Sequence, residues 1–109
     1  MTSEGPAVRL LEDDPGQREL RGLLLEAKGF RVVSEGGDLV LMDLCMPRVE
    51  DGLRVIREIA AEVPRPKIVV ISGYAAALRG REEEEMVDAV LEKPCPTGKL
   101  VETLRRMLA

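Results

Sequence analysis

Leu39-Val40-Leu41-Met42-Asp43 is an unbroken apolar run closed by a carboxylate, and it decides the fold. Apolar residues without polar alternation describe a strand covered on both faces, as in a parallel sheet between helices. Three other stretches share the format. Ala7-Val8-Arg9-Leu10-Leu11 leads into Glu12-Asp13-Asp14, Ile68-Val69-Val70-Ile71 into Ser72, and Ala89-Val90-Leu91-Glu92 into Lys93-Pro94. If these strands are parallel, their carboxyl ends gather carboxylates, a hydroxyl and an ammonium at one sheet edge. That set suits a divalent cation and a phosphoryl group.

Amphipathic segments separate the runs, which is the alternation of an α/β domain. Asp14-Pro15-Gly16 starts a helix over about 17–28, with Leu20, Leu23, Leu24 and Ala27 as its apolar stripe and Gly29 as its stop. Arg31-Val32-Val33-Ser34 reads as a further strand. Asp51 is read as the N-cap of a helix with Leu53, Ile56, Ile59 and Ala60 inward, closed by Pro64 and Pro66. A weaker helix is expected over 75–88, its Glu82-Glu83-Glu84-Glu85 run forming a solvated face. The last helix starts near Gly98 and buries Leu100, Val101, Leu104, Met107 and Leu108.

Composition narrows the function. With 109 residues, 45% hydrophobic and 33% charged, the chain holds one globular domain, residues 1–109. A net charge of −4 and 2% aromatic residues argue against nucleic-acid binding. The absence of histidine excludes His-based triads and zinc sites with His ligands. Cys45 and Cys95 read as two reduced thiols. No apolar stretch approaches the roughly 20 residues of a membrane span. Met1-Thr2-Ser3-Glu4-Gly5-Pro6 has neither the basic nor the apolar part of a signal peptide, so a cytoplasmic location is expected.

In their order, Leu10-Leu11-Glu12-Asp13-Asp14-Pro15, residues 38–47, Val69-Val70-Ile71-Ser72-Gly73-Tyr74 and Leu91-Glu92-Lys93-Pro94 resemble the receiver domain of two-component response regulators. The resemblance implies a doubly wound, flavodoxin-like, five-stranded parallel sheet of order 2-1-3-4-5. It implies Asp43 as phosphoacceptor, and Mg²⁺ held by Glu12, Asp13, Asp43 and the main-chain carbonyl of Cys45. Ser72 and Lys93 would contact phosphoryl oxygens. The donor would be a sensor histidine kinase or a histidine phosphotransfer domain, and the output partner is open. No membrane or direct nucleic-acid contact is implied, and the chain would be a monomer or weak dimer. Such a domain assists its own phosphorylation and dephosphorylation and is not a turnover enzyme. A phosphatase of the haloacid-dehalogenase type also uses an aspartate nucleophile, but it needs an acid where Cys45 stands.

The chain departs from the receiver pattern in three places. Only Gly36 and Gly37 lie between Ser34-Glu35 and Asp38-Leu39, where receivers carry a whole helix. A parallel crossover is expected to need about a dozen residues. Bridging a five-residue strand from here is therefore not expected, and further residues around Gly36-Gly37 would be needed. A real deletion in a degenerate receiver, acting as a phosphorylation-independent interaction domain, is the alternative. Arg9 occupies a usually apolar position of the central strand, so its guanidinium is expected to reach a carboxylate or the sheet's end. Val90 stands where receivers commonly have a switch aromatic, which puts their usual coupling in doubt.

Overall fold

Apolar runs and amphipathic segments assemble into one five-stranded sheet flanked by helices. The computed structural model describes residues 5–109. Most of the stretch read against a signal peptide, residues 1–4, therefore lies outside the described residues. The strands are β1 (Ala7–Leu11), β2 (Arg31–Val33), β3 (Leu39–Met42), β4 (Lys67–Ser72) and β5 (Ala89–Glu92). Their order is β2-β1-β3-β4-β5 and every pairing is parallel, the flavodoxin-like arrangement expected from the sequence. All four residues of β3 are buried, as the unbroken apolar run required.

Two apolar cores lie on the two faces. One joins Val8, Leu10, Leu39, Leu41, Val69 and Ile71 to helices α1 (Pro15–Ala27) and α3 (Thr97–Leu108). The other joins Val40, Met42, Ile68 and Val70 to Leu53, Ile56 and Ile59 of α2 (Val49–Ala60). The stripes expected on α2 and α3 therefore face inward. Leu25 is the buried residue of α1, and of the expected stripe only Leu24 packs, half-buried, against the core. Leu20 and Leu23 are 69% and 63% exposed, and Ala27 is also exposed. Arg21 and Gly22 are partly buried instead. Arg21 reaches the Glu12 carboxylate at 3.4 Å, and Gly22 has no side chain to hold the helix off Leu10. The inward face of α1 therefore carries Leu24 and Leu25 together with Arg21 and Gly22.

Two other boundaries differ from expectation for local reasons. Asp51 is the third residue of α2, not its N-cap. Its carboxylate reaches back to accept the Arg48 backbone N–H at 3.2 Å, so it satisfies the helix start from inside the first turn. Residues 75–88 form two short 3₁₀ helices, Ala75–Leu78 and Glu82–Met86, rather than one α-helix. Gly80, at φ +76°, separates them. Glu83 does not belong to a solvated face. It is buried, ion-paired with Arg57 of α2, and close to Arg81.

The connection from β2 to β3 carries no helix. The expectation that residues 34–38 are too few assumed a long strand to run back along, but β2 has three residues. Val33 lies opposite Arg9 and Leu39 opposite Val8, on the other side of β1. The return is one residue along the strand, about 3.3 Å, and two strand spacings sideways, about 9.6 Å. Six virtual bonds reach about 23 Å, which covers this distance with slack to rise over β1. Gly36 and Gly37 take positive φ values of 68° and 94° in this crossing. A Cβ on Gly37 would lie 3.2 Å from the Ala7 carbonyl oxygen and 3.3 Å from the Arg9 nitrogen. Asp38 fixes the landing: its N–H donates to the Ala7 carbonyl at 2.7 Å, and its Oδ2 accepts the Ala7 N–H at 2.8 Å.

Arg9 lies under this crossing. Its Nε donates to the Gly36 carbonyl at 2.7 Å, and its two terminal nitrogens grip the Glu62 carboxylate at 2.9 and 2.7 Å. The carboxylate expected for this central-strand arginine is Glu62, just past the end of α2.

Candidate functional site

Three strand ends bring the reactive groups together. Asp43 follows β3, and its N–H continues the ladder to the Leu11 carbonyl at 3.3 Å. Ser72 closes β4, and the Lys93 N–H donates to the Ser72 carbonyl at 3.1 Å, so the two side chains leave adjacent strands together. Lys93 Nζ donates to Asp43 Oδ2 at 2.6 Å, a short charge-assisted bond. The Cys45 N–H donates to Asp43 Oδ1 at 3.0 Å, turning the following loop back over the acid. Ser72 is fully buried, and its Oγ accepts the Tyr74 N–H at 3.0 Å.

Burial pushes the Asp43 carboxyl up. The Lys93 hydrogen bond, the Cys45 N–H, the Lys93 charge and the Ser72 hydroxyl outweigh it and hold the group below the ordinary carboxylate value. Asp43 is thus an ionised carboxylate at neutral pH, held in a fixed orientation by Lys93 and the Cys45 N–H.

The loop after Asp43 rests on α2. Gly52 lies so close that a Cβ there would sit 1.7 Å from the Leu44 carbonyl oxygen. Only glycine permits this approach, and it fixes where Leu44 and Cys45 run.

The acidic pair stands at the end of β1, the strand beside β3. Glu12 is buried and Asp13 exposed, beside a shallow cleft that includes Leu11, Arg18 and Met46. Glu12 is held by α1: Arg21 Nη1 lies 3.4 Å from Oε1, and Arg18 Nη1 donates to the Glu12 main-chain carbonyl at 3.1 Å. Oε2 accepts the Asp14 N–H at 3.3 Å. Asp14 itself caps α1, its Oδ1 accepting the N–H groups of Gly16 and Gln17 at 2.9 and 3.2 Å. Among the described residues, no three acidic or cysteine side chains are grouped as ligands of one ion. Asp43 faces Lys93, and Glu12 faces Arg21. The structure thus joins Asp43, Ser72, Lys93 and the Cys45 main chain directly, with Glu12 and Asp13 on the neighbouring strand end. Arg18 and Arg21 were missed, because their helical spacing reads as a solvated face. Gly52 was missed too, since a mid-helix glycine gives no sign of what it touches.

The fold is that of doubly wound α/β domains, which bind ligands at the carboxyl ends of their strands, where Asp43, Ser72 and Lys93 meet. Residues 31–105 match the response regulator receiver domain family. The chain belongs to that family. It is 33% identical over 82 residues to a protein-glutamate methylesterase/protein-glutamine glutaminase from Hahella chejuensis, covering 62% of this chain and 23% of that protein. The chain therefore spans about a quarter of that curated relative. It resembles a CheY-like receiver domain from Methylobacillus flagellatus at 27% identity, with a TM-score of 0.80 over 95% of this chain and 99% of that one. The Thermotoga maritima response regulator TrrA shares the fold at 23% identity. Its structure with Mg²⁺ and BeF gives a TM-score of 0.78 over 94% of this chain and 98% of that one. Its structure with the histidine kinase ThkA gives 0.77 over 95% and 99%.

Proposed function

We propose that this receiver domain accepts a phosphoryl group on Asp43 from a histidine kinase or histidine phosphotransfer domain, in a Mg²⁺-dependent reaction. The observation that carries the reading is the Asp43–Lys93 contact at 2.6 Å, with the carboxylate kept ionised despite its burial. An Asp43 carboxylate oxygen forms the new bond to phosphorus. The bond from phosphorus to the donor breaks, and its electron pair leaves with the donor. Lys93 moves from the carboxylate to a phosphoryl oxygen, and the Ser72 hydroxyl donates to another.

The donor set fits a hard cation: carboxylates of Glu12, Asp13 and Asp43 and the main-chain oxygen of Cys45, with no imidazole or thiolate required. When bound, Mg²⁺ supplies positive charge to offset the carboxylates and the phosphoryl oxygens. TrrA, crystallised with Mg²⁺ and BeF and with a histidine kinase, supports the same reading for this chain.

The domain is a phosphoacceptor rather than a turnover enzyme, and the esterase activity of its longer relative is not assigned to it. Among the described residues, no helix is long and apolar enough to cross a membrane. We assign it to the cytoplasm, where such donors present their phosphohistidines. Intact mass spectrometry after incubation with acetyl phosphate and Mg²⁺ tests the proposal. One added phosphoryl group, lost in Asp43→Asn and without Mg²⁺, is expected. No gain in the unaltered chain refutes it.

A further inference from the structure

We propose that Arg21 is a built-in competitor of the divalent cation, occupying Glu12 until the metal displaces it and so setting a low Mg²⁺ affinity. The inference rests on the Mg²⁺-dependent reading above and goes beyond it, because it assigns a role to a helix residue that is no metal ligand.

Four observations carry it. Arg21 sits on the inward side of α1, only 16% of its side chain exposed, while Leu20 and Leu23 lie in solvent. Its Nη1 lies 3.4 Å from Oε1 of Glu12, whose side chain is only 5% exposed. No other carboxylate forms an ion pair with Arg21 among the described residues. Arg18, one turn earlier, binds the main-chain carbonyl of Glu12 and leaves the carboxylate free.

A guanidinium and a divalent cation cannot share that carboxylate without strong repulsion. Metal entry therefore requires Arg21 to swing away, which it can do because α1 is a surface helix. Removing the positive charge removes both the bond to be broken and the repulsion. For unit and double charges within about 6 Å at a protein surface, the expected change is roughly tenfold or more in affinity.

The test is calorimetric titration of the whole chain with MgCl₂, comparing the unaltered protein with Arg21→Met, Arg21→Gln and Arg18→Gln. Both Arg21 variants are expected to bind Mg²⁺ about tenfold more tightly. Arg18→Gln removes a nearby charge but no bond to the carboxylate, so its gain should be smaller than that of either Arg21 variant. Unchanged or weaker binding in the Arg21 variants overturns the proposal and leaves the phosphoacceptor reading intact. No Mg²⁺ binding by any of the four proteins removes the metal reading and this inference together. Should the Arg21 variants fail to fold, the unaltered chain decides the matter by NMR of its arginine Nε–H groups. The Arg21 signal is expected to shift on Mg²⁺ addition as the guanidinium leaves Glu12, and an unmoved signal refutes displacement.

Discussion

Gly37→Ala tests the crossing between β2 and β3, and Gly36→Ala is its internal control. Both glycines have positive φ, and alanine at either gains about 0.7 kcal/mol by restricting the unfolded chain. At Gly36, φ is +68° and a Cβ would meet nothing within 4 Å. A left-handed alanine costs about 1 kcal/mol, so the net loss should be below about 0.5 kcal/mol. At Gly37, φ is +94°, beyond the left-handed well, which adds about 2 kcal/mol of strain. The new Cβ would also stand 3.2 Å from the Ala7 oxygen and 3.3 Å from the Arg9 nitrogen and Val33 Cγ2. Two of these three atoms are main chain of β1 and cannot rotate away, which adds about 1 kcal/mol or more. The net loss at Gly37 should be about 2–3 kcal/mol. Urea unfolding followed by circular dichroism reads the difference at an unchanged m-value. In thermal melts each kcal/mol corresponds to about 4–8 °C. Equal losses at the two positions would show that the chain does not pass over β1 at Gly37.

Gly52→Ala places a Cβ 1.7 Å from the Leu44 oxygen, so the loop beside Asp43 must shift; phosphorylation by acetyl phosphate should slow at least about tenfold, with a stability loss of about 2 kcal/mol or more. Normal kinetics would mean that loop position is immaterial. Glu83→Gln removes the ion pairs with Arg57 and Arg81, and amide exchange should accelerate across residues 82–86 while β3 and β4 stay protected. Unchanged exchange there would show that another contact holds the segment. Acid should destabilise the fold in a definite window. Asp43 is held below the usual carboxylate value as described, and Glu62 by its hydrogen bonds from Arg9. Depressed folded values make their stabilisation complete above the unfolded carboxylate pKa of about 4 and lost as pH falls through the folded values. Urea midpoints should therefore be flat from neutral pH to about 5 and drop below about 4, less steeply in Glu62→Gln; a midpoint that rises on acidification refutes the assignment.

The strands were legible because burial on both faces leaves a run such as Leu39 to Met42 no polar residue, and the reactive groups were legible because each closes such a run. Asp43, Ser72 and Lys93 needed no long-range information beyond the assumption of parallel strands. Residues whose placement depends on a distant partner were not readable in this way. Periodicity assigned Leu20 and Leu23 to the core, since nothing in α1 alone announces that Arg21 lies inward against Glu12. Glu83 looked like one of four equivalent acids, because Arg57, which buries it, is 26 residues away. The short crossover looked impossible only because the length of β2 was taken too long. Three residues of strand make the return a sideways step, and Gly37 lets it run close over β1. Arg9 was the better guide: its need for a carboxylate was plain in the sequence, though not that Glu62 would meet it.

The five-residue crossover also bears on the order in which the sheet assembles. Ala7 and Asp38, which exchange two hydrogen bonds, are 31 residues apart, and β2 already lies on the other edge of β1. Once α1 has brought β2 to β1, only residues 34–38 remain to be ordered before β3 reaches the opposite edge. Loop-closure entropy for that second pairing is small, because most of the loop is closed by the first. The short loop couples the two pairings, so β3 is expected to join β1 soon after β2 does. Asp43 stands just past the end of its last strand, so its carboxylate is placed by the same event that completes this half of the sheet.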